Sequence, residues 1–396
     1  PVALVRDKVE LTEQEAKSDL RDLPLPDAVP GSARVAVIEL PSFYCDFGAK
    51  RDGQADYRSC TRDVRRLLEQ ATGEPLDGVV LDLRANGGGA LDEAVQLAGL
   101  FSGNAPVVQI RDHRGKVQRR DSPEEAPVYT GPLVVLVDRF SASASEIVAA
   151  ALQDHRRAVI VGEACTHGKG TVQTVYSLDR LLERTNLFEG QQGGSLKFTI
   201  QKFYRVNGGS TQVKGVVPDI VFRSFTDHME IGEAHLPNAL PWDEIAPVAA
   251  GAGSGVDVGP ILGELRARSQ GRRAASQAFA ALEEDIDRYA VRRQQQTLTL
   301  CLDQRRSLQV EDEQWSVRMR ELARSKRRRA AGETEAAADA PKDEPREDLV
   351  LDEAMHILAD LIVLQRGDGA GPAAGVAVEA GGDAGALPPT PGAVLR

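Results

Sequence analysis

Aromatic residues supply only 5% of the 396 residues, with 2 tryptophans and 3 methionines. A core built from this chain must therefore be mostly aliphatic and alanine-rich. The 4 cysteines, Cys45, Cys60, Cys165 and Cys301, are few for such a length. None forms a Cys-x-x-Cys pair, which speaks against a structural zinc framework. The even count permits disulfides, Cys45 with Cys60 as a candidate, without fixing a redox compartment. The 6 histidines (113, 155, 167, 228, 235 and 356) lack His-Glu-x-x-His spacing, so neither a metal nor another cofactor is expected. Positive charge is also short: Lys+Arg 48 against Asp+Glu 59 leaves a net charge of −11. That balance excludes the electrostatic footprint of a general nucleic-acid binder. No apolar run approaches the ~18 residues of a membrane-spanning helix.

What is present is an ordinary globular composition, 42% hydrophobic and 27% charged, at roughly two to three times the length of a typical domain. The chain begins at Pro1 in mid-pattern and is expected to be a fragment, with any upstream signal peptide outside it. Val2–Leu11 alternates loosely and is predicted to be a strand remaining from an upstream domain; Pro24, Pro26 and Pro30 punctuate a connector. Strong α/β signals then start. Short apolar runs at 33–40, 76–84, 132–138 and 157–163 are predicted strands, and amphipathic stretches at 63–71, 90–101 and 145–155 are predicted helices. Segments 105–112 and 115–121 read as a hairpin around His113-Arg114-Gly115, and 170–178, 196–209 and 217–222 as further strands. Alternating strands and helices imply crossover units packed on a sheet.

The composition shifts beyond about residue 230. Pro and Gly cluster in 237–260, 261–328 has helical spacing, and the basic run 326–329 reads as a solvated helix end. Residues 333–348 form a polar linker. Residues 349–365 form an amphipathic helix with Leu351, Ala354, Met355, Leu358, Leu361 and Ile362 on one face. The Gly/Ala/Pro-rich tail 367–396 is expected to be disordered. The expected organisation is thus a remnant and connector (1–30), an α/β core with added antiparallel strands (31–230), an all-α region (231–366) and a tail (367–396).

Chemistry concentrates in residues 141–173. Ser143 follows an apolar strand and precedes a helix, where free backbone N–H groups favour developing negative charge. Such a serine suits nucleophilic attack, but Ser143 with Glu146 three residues on also fits a capping box without any chemistry. Lys169 stands between Gly168 and Gly170. Carried into a partly desolvated site, a lysine loses proton affinity and becomes a competent base toward a serine hydroxyl; left in solvent, it is a turn residue. Gly162 to Lys169 resembles a P-loop only loosely: the spacing is too long, Gly170 follows the lysine, and a strand rather than a helix comes next. His155 and His167 bracket the segment and keep a Ser-His-Asp arrangement open. Asn86-Gly87-Gly88-Gly89 sits at another strand-to-helix junction, either as a plain tight turn or as a presenter of N–H groups.

Taken together, the segments 79–101, 131–147, 157–173, 198–220 and 238–245 resemble the C-terminal processing (tail-specific) serine peptidases of the long bacterial type, in order and in spacing. The similarity spans roughly 33–245, and the helical remainder resembles that type's C-terminal extension. It implies Ser143 as nucleophile, Lys169 as general base and Gln173 as the residue orienting the lysine. Gly89 and Ala144 would donate N–H groups to the oxyanion, and Asp154 matches an acidic supporting position. It further implies ATP-independent cleavage of unfolded or C-terminally exposed proteins in the periplasm or cell envelope, possible delivery by an adaptor, and a PDZ-like domain upstream. Lys169 lies 26 residues beyond Ser143, one more than the family pattern. The addition falls in Glu163–Gly168, where the family reads Glu-Pro-Thr-Phe-Gly, so Cys165 and His167 are foreign to it. A peptide-binding or scaffold relative with impaired catalysis is the alternative.

Overall fold

The computed structural model describes residues 15–26, 31–179, 193–249, 255–330 and 348–367. The expected strand at Val2–Leu11, nearly all of the 333–348 linker and the tail beyond Gly367 lie outside these residues.

The core is a six-stranded sheet in the order β1-β2-β3-β6-β7-β10. Its strands are β1 (Lys17–Pro24), β2 (Ser32–Glu39), β3 (Gly78–Asp82), β6 (Leu133–Val137), β7 (Val159–Gly162) and β10 (Ile220–Val221). β2, β3, β6, β7 and β10 run parallel, and β1 pairs antiparallel with β2. Continuous apolar runs arise because both faces are covered. Val79, Leu81, Leu133 and Val135 face one hydrophobic cluster, while Val80, Val134 and Leu136 face another. Helices α2 (Cys60–Ala71), α3 (Leu91–Ser102) and α4 (Ala144–Asp154) cover the first face through residues such as Leu68, Leu97 and Leu152.

A second, antiparallel sheet has the order β5-β4-β9-β8, built from β4 (Pro106–Asp112), β5 (Val117–Asp121), β8 (Thr171–Ser177) and β9 (Ser195–Tyr204). The hairpin expected at 105–121 is its β4–β5 pair. The helical region contains α5 (Leu262–Ala275), α6 (Gln277–Gln294), α7 (Leu302–Ala330) and α8 (Leu349–Gly367). The architecture is an α/β core with added antiparallel strands, followed by helices.

Several local readings are corrected. Lys17–Pro24, inside the expected connector, is a sheet edge. Its charged alternation hides it, because an edge strand faces solvent. The five-residue helix α1 (Phe47–Arg51) buries no residue and so carries no hydrophobic period. Only Ile220 and Val221 of 217–222 pair, and the strand expected at 196–209 ends at Tyr204. α8 carries the expected apolar face, but that face packs against the second side of the core sheet: Leu358 and Leu361 are fully buried there with Val80 and Leu136. Cys45 and Cys60 are free thiols. Cys60 instead directs its Sγ to the buried Glu93 carboxylate at 3.5 Å.

Candidate active site

β3 and β6 are adjacent and parallel, with Val79 opposite Leu133 and Asp82 opposite Leu136. The turns leaving them therefore emerge at the same carboxyl edge of the sheet, the usual place for sites in open α/β folds. After β3 comes Asn86-Gly87-Gly88-Gly89; after β6 comes the turn that ends in Ser143. The two turns are laced together. Ala142 N donates to Asn86 O at 3.0 Å, Ser145 Oγ to the same carbonyl at 2.8 Å, and Ser141 Oγ to Leu83 O at 2.8 Å. Asn86 is anchored in turn by its own amide, which donates to Leu40 O at 2.7 Å.

Close approach explains the glycines. A Cβ on Gly88 would lie 2.9 Å from Ser143 Cβ and 3.0 Å from Ala144 N. A Cβ on Gly89, whose φ is +150°, would lie 2.2 Å from Phe43 O. Gly89 is exposed, Ala144 is buried at the first position of α4, and among the described residues neither amide N–H has an acceptor. Both glycine-turn and helix-start donors thus remain available at one sheet edge.

Ser143 precedes α4 with φ 55°, a left-handed conformation that costs a non-glycine residue about 1–3 kcal/mol and persists only where surroundings impose it. Glu146, fully buried in the first turn of α4, is that surrounding. Its Oε2 accepts from Ser143 N at 2.8 Å, the carboxylate half of the expected capping box. The same carboxylate reaches much further along the chain. Oε1 accepts from Thr166 Oγ1 at 2.6 Å and Gly168 N at 2.7 Å, and Oε2 accepts from Lys169 N at 3.0 Å. Desolvation raises the Glu146 pKa to about 7, and these four donors oppose that rise.

Glu146 was legible only as a cap; its partners 20–23 residues away left no local signal. His167 N adds a further tie, donating to Ser141 O at 3.0 Å. The Gly168-Lys169-Gly170 segment is fixed on its other side by Gln212, whose Oε1 accepts from Gly170 N at 2.8 Å.

Lys169 is half-buried. Burial, reinforced by the nearby Lys197 charge, holds its ammonium pKa below the usual lysine range, against Glu233 and Glu146. Its Nζ donates to Gln173 Oε1 at 3.1 Å, so the lysine and its expected orienting residue do meet. No hydrogen bond joins Nζ to Ser143 Oγ in this arrangement. β8, a strand, follows Lys169, which removes the helix a P-loop requires.

The remaining candidates lie apart. Asp154 ends α4, about 16 Å along the helix from Ser143 at ~1.5 Å per residue. It is paired with Arg205, Nη2 to Oδ1 2.6 Å, and accepts from Asn207 Nδ2 at 3.0 Å. Arg205 directly follows β9, so Asp154 joins the serine-bearing helix to the sheet that carries Gln173. The buried His155 ring contacts Pro106 O at 2.7 Å, and neither it nor His167 bonds to Ser143. Burial pushes the His167 pKa down and the Cys165 thiol up.

Comparison with known proteins agrees with this frame. Residues 34–222 match peptidase family S41, and residues 226–363 match the C-terminal domain of tail specific protease. The chain belongs to peptidase family S41, in its C-terminal processing, tail-specific group. It is 38% identical over 368 residues to the tail-specific protease of Haemophilus influenzae, covering 91% of this chain and 48% of that protein. It is 37% identical over 168 residues to the carboxy-terminal-processing protease of Bartonella bacilliformis, covering 42% of this chain and 35% of that protein. The chain thus spans about half the length, or less, of these relatives. Among solved structures it aligns with a photosystem II D1 C-terminal processing protease at TM-score 0.40 and 26% identity, over 55% of this chain and 50% of that one.

Proposed function

We propose that this chain is the catalytic portion of a serine endopeptidase that cuts unfolded or C-terminally exposed proteins without ATP. Ser143 Oγ attacks the scissile carbonyl carbon and passes its proton to neutral Lys169 Nζ. Gly89 N and Ala144 N donate to the oxyanion of the tetrahedral intermediate. The lysine then protonates the leaving amine, and water, deprotonated by the again neutral Lys169 Nζ, hydrolyses the acyl ester. Gln173 holds Nζ in the resting state and gives it up to Ser143 Oγ when substrate arrives. The His155 ring is engaged with Pro106 O, and among the described residues no hydrogen bond joins the His155 or His167 ring to Ser143. Asp154 supports the site from a distance through Arg205.

The observation that carries this reading is the Glu146 carboxylate, which binds the serine backbone and the lysine backbone at once. A capping role alone gives no reason for the second contact. We propose, from the resemblance of its motifs to the long bacterial type, a setting in the periplasm or cell envelope, with an adaptor as an optional partner. Among the described residues no helix is long and apolar enough to cross a membrane. The resting separation of Nζ from Ser143 Oγ favours one other reading, a peptide-binding relative without catalysis. Incubating a reduced, unfolded protein with the chain and with Ser143→Ala and Lys169→Ala separates the two. Cleavage only by the parent chain supports the peptidase; identical behaviour of all three defeats it.

A further inference from the structure

The sheet edges of this molecule are defended unequally. An exposed edge presents unpaired N–H and C=O groups, and proteins blunt it with charges, proline or brevity. β1 carries Lys17, Asp19, Arg21 and Asp22 and ends in Pro24. β5 carries Arg119, Arg120 and Asp121, and β10 has only 2 residues. β8, the remaining edge, reads Thr-Val-Gln-Thr-Val-Tyr-Ser, with no charge and no proline.

This undefended edge adjoins the reacting groups. β8 starts two residues after Lys169, and its Gln173 accepts the lysine Nζ hydrogen bond. The ladder with β9 sets which groups point outward. Leu178 N donates to Gly194 O and Phe203 N to Gly170 O, both at 2.9 Å. Together with the register, these bonds place Gln173, Val175 and Ser177 in non-hydrogen-bonded pairs, so their N–H and C=O groups face away from β9. Among the described residues no hydrogen bond meets them there. Large apolar and aromatic side chains near this edge are solvated, Val175 65% exposed, Tyr176 42%, Leu196 52% and Phe198 42%, with Lys197 opposite Val175. Burial by a partner is the physical gain such a surface leaves open.

We propose that the outer edge of β8 takes the backbone of an extended, uncharged and apolar-rich segment of the polypeptide substrate as an added strand, carrying its scissile bond toward Ser143. Backbone pairing supplies affinity without demanding a sequence, and alternate side chains meet Val175 on one face and Tyr176 on the other. The proposal rests on the peptidase reading for the fate of the bound segment, but binding itself does not require the serine hydroxyl.

The test is therefore made with the full Ser143→Ala chain. The probe is a fluorescein-labelled decapeptide of alternating valine and serine, followed by fluorescence anisotropy. Val175→Pro removes one outward N–H while sparing the β9 ladder. Val175→Thr keeps that N–H and is the control. Val175→Pro is expected to weaken binding about tenfold, the upper range for a backbone hydrogen bond and its neighbours, and Val175→Thr to bind within about twofold of the parent. The fully N-methylated probe, which has no N–H to offer, is expected to lose binding, a comparison that stands even where Val175→Pro does not fold. Equal binding by Val175→Pro and Val175→Thr, equal binding of methylated and parent probes, or no binding of the parent probe overturns the proposal. Failure of Ser143 to acylate, with probe binding intact, would overturn the peptidase reading alone.

Discussion

Glu146 accepts the backbone N–H of Lys169 at 3.0 Å through the same carboxylate that accepts Ser143 N at 2.8 Å. One buried side chain therefore sets the distance between the two strand-to-loop segments on which the proposed chemistry depends. The loop before Lys169 is one residue longer than the family pattern, and its last three residues are held. Thr166 and Gly168 bond to Glu146, and His167 N bonds to the serine turn. The extra length is accommodated without moving the lysine backbone away from the serine helix.

Removing that clasp should be costly. Glu146→Ala strands several buried donors, each worth roughly 1–3 kcal/mol when left unpaired. The variant is expected to lose about 3 kcal/mol of stability, read by urea unfolding, and nearly all proteolysis. Glu146→Gln keeps one acceptor oxygen but turns an amide toward the remaining N–H donors, so it should fold better than Glu146→Ala while staying poorly active.

The pH dependence follows from two groups. On the proposed mechanism, activity requires Lys169 neutral and Glu146 ionised, and both conditions fail as pH falls. Proteolysis should therefore rise with pH, with one limb at about 7 from Glu146 and a higher one from the depressed lysine. Loss of activity confined to alkaline pH would contradict a lysine base. Stability carries the opposite sign. A carboxyl whose pKa rises from 4.5 to about 7 on folding favours the fold fully below the lower value, and the advantage is lost as pH rises through the upper one. Against Glu146→Gln, the thermal midpoint of the parent should fall between pH 4.5 and 7.

The glycine turn offers a separate test. Gly89→Ala places a methyl 2.2 Å from Phe43 O at a φ of +150°, so the turn must move. Loss of one oxyanion donor typically costs about 10²–10³ in kcat. The variant is expected to show that loss with KM little changed, in steady-state kinetics on a peptide substrate.

α8 belongs energetically to the core sheet. Leu358 is fully buried, and its Cδ2 stands 2.9 Å from the position a Cβ on Gly78 would take. Leu358→Ala should destabilise the chain by about 2–5 kcal/mol, measured by calorimetry. Truncation at residue 348 should expose the second hydrophobic face and produce aggregation. A truncated chain that stays monomeric with an unchanged midpoint would refute this packing.

Much of this architecture is legible in the chain. The buried runs at β3 and β6 are too apolar to be edge strands, and each ends in a turn rich in small residues, which places two loops at one sheet edge before any coordinates are known. The proposal of Ser143, Gly89, Ala144 and Lys169 as site residues rests on that reasoning together with family resemblance. The second role of Glu146 does not, because a carboxylate spanning more than twenty residues leaves no periodic trace. β1 is not legible in the sequence because its outward charges mask its alternation. The placement of α8 was hidden for another reason: an amphipathic face states that something must be covered, not which sheet it covers. Asp154, which the resemblance makes a supporting acidic residue, ends α4 and clamps Arg205, a tie between elements that local sequence does not announce.

The most direct measurement is the mass of the chain after rapid mixing with an activated peptidyl ester and an acid quench. An acyl group mapped to Ser143, formed faster as pH rises and at least about 10²-fold more slowly in Lys169→Met, is the outcome expected of a lysine-activated serine. An unmodified Ser143, or equal acylation rates in parent and Lys169→Met, would contradict it.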